Sequence, residues 1–318
     1  MYAIGVDVGG TLVKAGLVDD AGHVAASMSR PTPSTSAARV AEVIAALVEE
    51  LRDQSEAMGK PVEAVGLGAA GFVDADRATV LFAPNLAWRH EPLRDAVSSR
   101  VGLPVVVEND ANAMAWGEYR YGAGRGVEDL VCVTIGTGIG GGIVQNGRLT
   151  RGAYGVAAEF GHLRVIPDGR RCGCGNRGCW EQYCSARALV REARDLALVT
   201  PGAAGRMLEL AEDEIDNITG EIVTAAGREG DPAALDCFEQ IGGWLGTGLA
   251  QVVALLDPAR CIVGGGVIAA GDLLLGPARA AFEQALTGAG HRPVAEIVPA
   301  SLGNDAGIVG AADLARRG

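Results

Sequence analysis

Tyr2-Ala-Ile-Gly-Val-Asp7-Val-Gly9-Gly10-Thr11-Leu-Val13 opens the chain, and Leu130-Val-Cys-Val-Thr134-Ile-Gly136-Thr137-Gly138-Ile-Gly-Gly-Gly142 repeats its plan. In each, an apolar run of strand character ends in a glycine turn and returns as a second apolar strand. The first return spans 13–18 and ends at Asp19-Asp20-Ala21-Gly22; the second passes Ile143 and Val144 to Gln145-Asn146-Gly147. The echo is one of pattern rather than residue identity. A pattern met twice predicts two related α/β halves with a cleft between them, each half starting on a hairpin with a bare glycine tip.

The intervening segments read as alternating strands and helices. Pro31-Thr-Pro33-Ser-Thr-Ser36 leads into Val40, Val43, Ile44, Leu47, Val48 and Leu51, the spacing of one apolar helix face. Short strands are expected over 64–70 and 104–108. Residues 185–256 read as helix-rich, and Asp231-Pro232 opens one helix, since proline is tolerated in a first turn. A strand over 260–263 runs into Gly264-Gly265-Gly266, and 305–317 reads as a closing helix. The expected division is a small α/β domain of residues 1–110 plus 305–318 and a large α/β domain of residues 111–304, which carries a cysteine-rich loop and the helical segment.

Composition bounds the function. With 318 residues and 48% hydrophobic content the chain can bury two cores, and with only 4% aromatics aliphatic side chains must pack them. A formal net charge of −12 excludes a nucleic-acid surface, which needs clustered Lys and Arg. An anion would have to be held by backbone N–H groups and a divalent cation. The start has no basic leader and the chain no long apolar run, so a cytoplasmic protein without membrane contact is expected. There, clustered cysteines are metal ligands rather than a disulfide framework. Cys132, Cys184, Cys237 and Cys261 sit in or beside apolar segments and are read as core.

The other three cysteines lie in the chain's most distinctive stretch. Glu159-Phe-Gly161-His162 is followed, after nine residues, by Cys172-Gly-Cys174-Gly-Asn-Arg-Gly-Cys179-Trp-Glu181. Three thiolates and one imidazole complete a tetrahedral Zn²⁺ shell with no position left for water, which marks a structural site. Glycines between the cysteines let the chain wrap closely around a small ion.

Asp7-Val-Gly9-Gly10-Thr11 sets a carboxylate beside a glycine turn that phosphate oxygens could approach. The pair makes sense if Mg²⁺ bridges them, since Mg²⁺ uses one or two carboxylates plus phosphate oxygens. Thr134, Gly136, Thr137 and Gly138 form the second such turn, and the two together could hold a polyphosphate from both sides. At Gly264, Gly265 and Gly266 a nucleobase or ribose could lie on bare backbone, or a helix could simply pack close to a strand. No P-loop and no dinucleotide fingerprint is present. Glu108-Asn109-Asp110-Ala-Asn112 ends an apolar strand directly before a helix, where ligands of α/β sheets sit. Asp110 could cap that helix, accept a proton from an attacking hydroxyl, or do both.

Together these motifs resemble the ROK family of bacterial sugar kinases, most closely its glucokinases, across essentially the whole chain. Glu159-x-Gly-His162 and Cys172-x-Cys174-Gly-x-x-Gly-Cys179-x-Glu181 carry it most specifically, with Asp7-x-Gly-Gly-Thr11, Gly68-x-x-Gly71, Asn109-Asp110-x-Asn112 and the second glycine turn in support. The resemblance implies a two-lobed actin-like, ribonuclease-H-like α/β fold with an interdomain cleft. It also implies ATP-dependent, Mg²⁺-assisted phosphorylation of the glucose 6-hydroxyl, with Asp110 as base. Implied sugar contacts are Gly71, Asn85, Asn109, Asp110, Glu159, His162 and Glu181. A homodimer or homotetramer is implied as well. His162 can give one ring nitrogen to zinc and the other to a sugar hydroxyl. Two departures stand out: Leu12 occupies a position where many members have Lys, with Lys14 two residues on, and Ala70 stands where many have Pro. Some members are repressors with an N-terminal helix-turn-helix; with the first strand opening at Tyr2, an enzyme without one is expected. Alternatives are a kinase for another hexose or N-acetylhexosamine, a noncatalytic sugar sensor, and polyphosphate as donor.

Overall fold

A computed structural model describes residues 2–317. Strands β1 (Tyr2–Val8), β2 (Leu12–Val18) and β3 (Val24–Pro31) are followed by helix α1 (Ala37–Ala57), β4 (Val62–Ala69) and the short strands β5 (Phe72–Val73), β6 (Val80–Phe82) and β7 (Arg89–Glu91). Next come α2 (Leu93–Val101), β8 (Val105–Asn109) and α3 (Asp110–Tyr121). The chain continues through β9 (Leu130–Ile135), β10 (Ile139–Gln145), β11 (Arg148–Leu149), α4 (Glu181–Cys184), α5 (Ala186–Val199), α6 (Gly205–Leu210), α7 (Gly220–Arg228) and α8 (Pro232–Leu256). It ends with β12 (Arg260–Gly264), α9 (Asp272–Ala285), β13 (Glu296–Pro299) and α10 (Ala306–Arg317).

The repeat read in the sequence is a repeat of topology. One five-stranded sheet runs β3-β2-β1-β4-β8 and the other β11-β10-β9-β12-β13, the same order in each. In the first, β1, β2 and β3 are antiparallel, whereas β4 joins β1 and β8 joins β4 in parallel. Three parallel strands therefore finish at one edge, where Gly9, Ala70 and Asp110 follow them.

Both faces of β1 are covered, which is why Tyr2–Val8 reads as a nearly continuous apolar run. Ile4, Val6 and Val8 pack with Val40, Ile44, Leu47, Val48 and Leu51 of α1, the predicted helix face. Ser36 caps that helix, its hydroxyl accepting the Arg39 N–H at 3.4 Å. On the opposite face α10 lies almost directly on the sheet backbone: a Cβ on Gly5 or Gly66 would overlap the carbonyl oxygen of Ile308 or Ala311. A Cβ on Gly310 would likewise overlap the Ala113 carbonyl of α3. Glycine at these three contacts lets β1, β4, α10 and α3 stack with no side-chain layer between them.

By contacts the chain forms two units. One takes the chain up to Cys132, Gly141–Ala158 and the chain from Ala300 on; the other takes Val133–Gly140 and Glu159–Pro299. This division departs from the boundaries expected at 110 and 305. Helix α3 joins the first unit because it packs on α10, and 141–158 joins it because Gly142 sits against Ala111 and Ala115 while Arg151 reaches Glu108. Cys132, Cys184, Cys237 and Cys261 are fully buried, as expected. Among the described residues, no helix is long and apolar enough to cross a membrane.

Candidate active site

The parallel strand ends of the first unit gather Asp7, Gly9, Gly10, Thr11, Gly71, Asn85, Asn109 and Asp110. The Gly9–Gly10 tip closes with Gly9 N–H donating to the Leu12 carbonyl at 3.0 Å, while the Thr32 hydroxyl donates to the Gly9 carbonyl at 2.8 Å. Gly10 lies against Asn85, where an added Cβ would stand 3.2 Å from the Asn85 Cβ. Asn85 sits in a loop held by Arg89, whose guanidinium donates to the carbonyls of Ala83, Leu86 and Trp88 at 2.8, 3.3 and 2.6 Å. Asn109 Nδ2 donates to the Gly71 carbonyl at 3.1 Å, which fixes these two predicted sugar contacts together.

The cap of α3 is Asn109 and not Asp110. Asn109 has extended backbone and its side-chain oxygen accepts the Asn112 N–H at 3.0 Å. Asp110 is the first helical residue; its carboxylate accepts the Ala111 N–H at 2.9 Å and is not the helix cap, so it is left for chemistry. Burial of that carboxyl, and then the negative charge of Asp7, raise Asp110 to about 7. Asp7 is itself raised by burial, an effect opposed by the Lys14 ammonium. Register explains that contact: Asp7 and Lys14 are direct partners across β1 and β2, so they share a face of the sheet. Asp7 also lies at the first turn of α10, where a Cβ on Gly307 would stand 3.5 Å from its Cγ, and a helix start favours a carboxylate.

Behind this edge lies a network that sequence reading missed. Glu108 is buried and faces Arg151 at 2.8 Å and Arg77 at 3.3 Å, while its Oε1 accepts the Asn109 N–H at 2.9 Å and Asn112 Nδ2 at 3.1 Å. Arg151 also donates to the carbonyls of Asp74 and Ala75, at 2.8 and 2.9 Å. Arg77 and Arg151 come from loops distant in sequence, and no local pattern announces them.

The second unit assembles the remaining predicted residues. Its turn is closed by Gly136 N–H donating to the Gly138 carbonyl at 3.0 Å and Gly140 N–H donating to Thr134 Oγ1 at 3.2 Å, with Thr137 exposed at the tip. Gly265, at φ 88°, lies flat on the Ile135 backbone, where any Cβ would overlap it. That contact puts Gly264, Gly265 and Gly266 beside the turn. On the other side Gly138 abuts Glu181, again with no room for a Cβ.

His162, Cys172, Cys174 and Cys179 meet as expected, their ligand atoms all within 4.8 Å of one another. Cys174 Sγ is 3.6 Å from Cys179 Sγ, and Cys172 Sγ is 3.6 Å from His162 Nδ1. A tetrahedron with Zn–S bonds of about 2.3 Å has edges of about 3.8 Å, so this donor set fits zinc. The geometry turns Nδ1 of His162 toward the cysteines and leaves Nε2 facing Glu159, 3.9 Å from its Oε2. Glu181 Oε1 accepts from Cys172 Sγ at 3.0 Å. Trp180 anchors the loop: it is fully buried, lies against Gly248 of α8, and donates from Nε1 to the Trp244 carbonyl at 2.8 Å.

The ROK family profile matches residues 3–318. The glucokinase of Streptomyces coelicolor is 51% identical over 313 residues, covering 98% of this chain and 97% of that protein. Among solved structures, a ROK family glucokinase from Streptomyces griseus, in complex with glucose and AMPPNP, matches with a TM-score of 0.91 and 54% identity over the whole of both chains. A ROK hexokinase from Thermus thermophilus matches with a TM-score of 0.78 and 33% identity, covering 100% of this chain and 98% of that one.

Proposed function

This chain belongs to the ROK family, and from that premise we propose that it is a glucokinase that transfers the γ-phosphoryl group of ATP to the 6-hydroxyl of glucose. The observation that carries the reading is Asp110: a carboxyl at the end of β8, free of capping duty, raised to about 7 beside Asp7 and the Gly9–Gly10 turn. A general base works best with a pKa near the operating pH, and a positioned one contributes roughly 10²- to 10⁴-fold.

In this reading Asp110 takes the proton of the 6-hydroxyl while Asn109, Gly71 and Asn85 orient the sugar from the same edge. By the family resemblance, Glu159, His162 and Glu181 are the remaining sugar contacts. Backbone N–H groups of Gly9, Gly10 and Thr11, and of Gly136, Thr137 and Gly138 with the Thr134 hydroxyl behind them, receive the phosphates. Gly264, Gly265 and Gly266 offer bare backbone to the nucleoside. Asp7 is the candidate ligand for Mg²⁺, which when bound neutralises phosphate charge. A cation at Asp7 would also relieve the repulsion that Asp7 imposes on Asp110.

The fit of the four ligands supports a structural zinc held by His162, Cys172, Cys174 and Cys179. His162 would present Nε2–H to a sugar hydroxyl, its tautomer fixed by ligation through Nδ1. A ligating Cys172 has no proton to donate, which frees Glu181 Oε1 to accept from the sugar. A cysteine cluster that serves as a ligand set fits the reducing cytoplasm. Assembly as a homodimer or homotetramer follows from the family resemblance alone.

The test is a coupled assay with MgATP against glucose, mannose, fructose and N-acetylglucosamine. Glucose should show the highest kcat/KM by at least about tenfold, a margin of about 1.4 kcal/mol. A preference for another sugar would reassign the acceptor, and sugar binding with no turnover would make the protein a sensor.

A further inference from the structure

Cys174 stands apart from the other three members of its cluster. His162 is half-buried and Cys172 and Cys179 are buried, whereas Cys174 is exposed. Gly173 and Gly175 on either side of it look into open space, since a Cβ built on either would meet nothing within 4 Å. The chain therefore brings this sulfur to the surface between two residues that carry no side chain. Cys179 has no exposed surface, yet its Sγ lies only 3.6 Å from that of Cys174. The backbone fixes this approach. Cys172 N–H donates to the Asn176 carbonyl at 2.9 Å, Gly175 N–H donates to the Cys172 carbonyl at 3.1 Å, and Arg171 pairs with Arg177 across the turn. Gly178, at φ 75°, lies so close to the Ile166 carbonyl that no Cβ fits, and it delivers Cys179 inward beside the Trp180 anchor.

An exposed thiol with a second thiol in reach is the arrangement of an oxidisable cysteine and its resolving partner. Within the cluster Cys179 suits that role better than Cys172. A Cys172–Cys174 bridge would close only a small, strained ring, and the Cys172 Sγ is engaged by Glu181 Oε1 at 3.0 Å and faces His162 Nδ1 at 3.6 Å. Cys179 faces Cys174 across a turn that holds Gly175 and Gly178, so rotation of the two side chains closes the remaining gap. The surroundings add charge. In a protein of net charge −12, residues 162–179 carry Arg164, Arg170, Arg171 and Arg177 against Asp168 alone, and all four arginines are exposed. Reactive cysteines occupy such electropositive, solvent-facing settings, whereas Cys132, Cys184, Cys237 and Cys261 are shut in the core.

We propose that Cys174 and Cys179 are an oxidation site: hydrogen peroxide converts the pair to a disulfide, which withdraws two of the four metal ligands and frees the side chains that the loop orients. The Cys174 sulfur attacks one peroxide oxygen, the O–O bond breaks, a sulfenic acid forms, and the other oxygen leaves as water. The Cys179 sulfur then displaces the sulfenic hydroxyl, which leaves as a second water. Two thiols give up two electrons and two protons, and the peroxide takes both. His162 and Cys172 alone are half of the tetrahedral set that zinc needs. The consequence for sugar binding rests on the proposed function, in which His162 and Glu181 touch glucose; the oxidation itself does not.

The test uses the full-length protein, purified under reducing conditions, freed of reductant and treated with excess hydrogen peroxide. Arg177 lies between the two cysteines, so trypsin places Cys174 on residues 172–177 and Cys179 on residues 178–187. Mass spectrometry without reduction should show these two peptides joined, with fragmentation placing the bond between Cys174 and Cys179. A chromophoric chelator should register about one equivalent of zinc per chain, released in step with that bond. Glucose affinity measured by calorimetry should fall about tenfold or more while ATP affinity stays within about twofold. Thiol reductant with added Zn²⁺ should restore glucose binding. Cys174→His keeps a tetrahedral donor set without the attacking thiol, so it should hold its metal through the same treatment. The proposal is overturned if the wild type keeps both cysteines as thiols, if the bond stays within residues 172–177, or if Cys174 ends as a sulfinic acid without a partner. Loss of metal from Cys174→His as fast as from the wild type overturns it too. A purified protein without zinc sinks the structural-zinc reading instead, and the peptide map then decides the pair alone. A disulfide that leaves glucose affinity unchanged keeps the oxidation site and removes His162 and Glu181 from the sugar contacts.

Discussion

Replacing Asp110 by Asn removes a base and a partly buried charge in one step, and the structure gives each loss its own signature. On turnover, loss of a positioned base lowers kcat by at least about 10² at pH 8. On stability the sign is opposite. Asp110 is raised from 3.8 to about 7, so the folded state holds this proton more tightly than the unfolded chain does. Stability from this group is therefore greatest below pH 4 and is lost as pH rises toward 7 and beyond. A carboxyl displaced that far corresponds to about 4 kcal/mol at pH 8, an upper bound because water entry and local relaxation reduce it. Asn cannot ionise and escapes the loss, so Asp110→Asn should be more stable than the wild type at pH 8 by about 1 to 4 kcal/mol. The advantage should shrink by about 1 to 3 kcal/mol at pH 5, where the folded wild type is already protonated. Urea denaturation at the two pH values, with kcat measured alongside, tests both halves. The wild-type kcat/KM for glucose should also fall about tenfold per pH unit below 7. A folded Asp110→Asn protein keeping more than about a tenth of wild-type turnover would refute the base assignment. A stability difference that is the same at pH 5 and pH 8 would refute the burial argument.

Cys174→Ala, or chelation of the metal, should weaken glucose binding well before ATP binding, because His162 and Glu181 are oriented by the loop whereas Gly9 and Gly10 are not; calorimetry showing equal losses for both ligands would contradict this. Glu108→Gln leaves Arg77 and Arg151 facing a neutral group and should cost about 3 to 5 kcal/mol in denaturant melts, with KM for glucose raised through Asn109; an unchanged midpoint would dismiss the network. Gly66→Ala should destabilise by more than about 2 kcal/mol, since overpacking here strikes the Ala311 carbonyl and not a movable side chain.

Much of this was legible in the chain because the informative residues are local. The two glycine hairpins declared their strands, Val40 to Leu51 declared one helix face, and Asp231-Pro232 opens α8 as expected. The cluster of His162, Cys172, Cys174 and Cys179 could be read because its three cysteines lie within eight positions and its histidine closes a distinctive Glu-x-Gly-His. Strand β3 was not foreseen: Val-Ala-Ala-Ser-Met-Ser-Arg-Pro alternates in burial, but Ala and Ser make the contrast too weak to register. The small β5-β6-β7 sheet escaped for a similar reason, its strands being two or three residues long. Asn109 and Asp110 are both good caps by type, and only backbone geometry separates them. The partners of Glu108 depend on where distant loops come to rest, which no window of sequence contains.

The order in which the pieces are synthesised has a consequence of its own. Helix α10 lies against β1, with Arg316 donating to the Val18 and Asp19 carbonyls across 298 and 297 positions, and it brings its first turn to Asp7. Everything from Glu159 to Pro299 is translated in the interval. On the ribosome the later-translated unit can therefore finish its own packing, and bring His162, Cys172, Cys174 and Cys179 together, while the edge carrying Asp7 still awaits its covering helix. A nascent chain should thus assemble its cysteine cluster before it can acquire turnover.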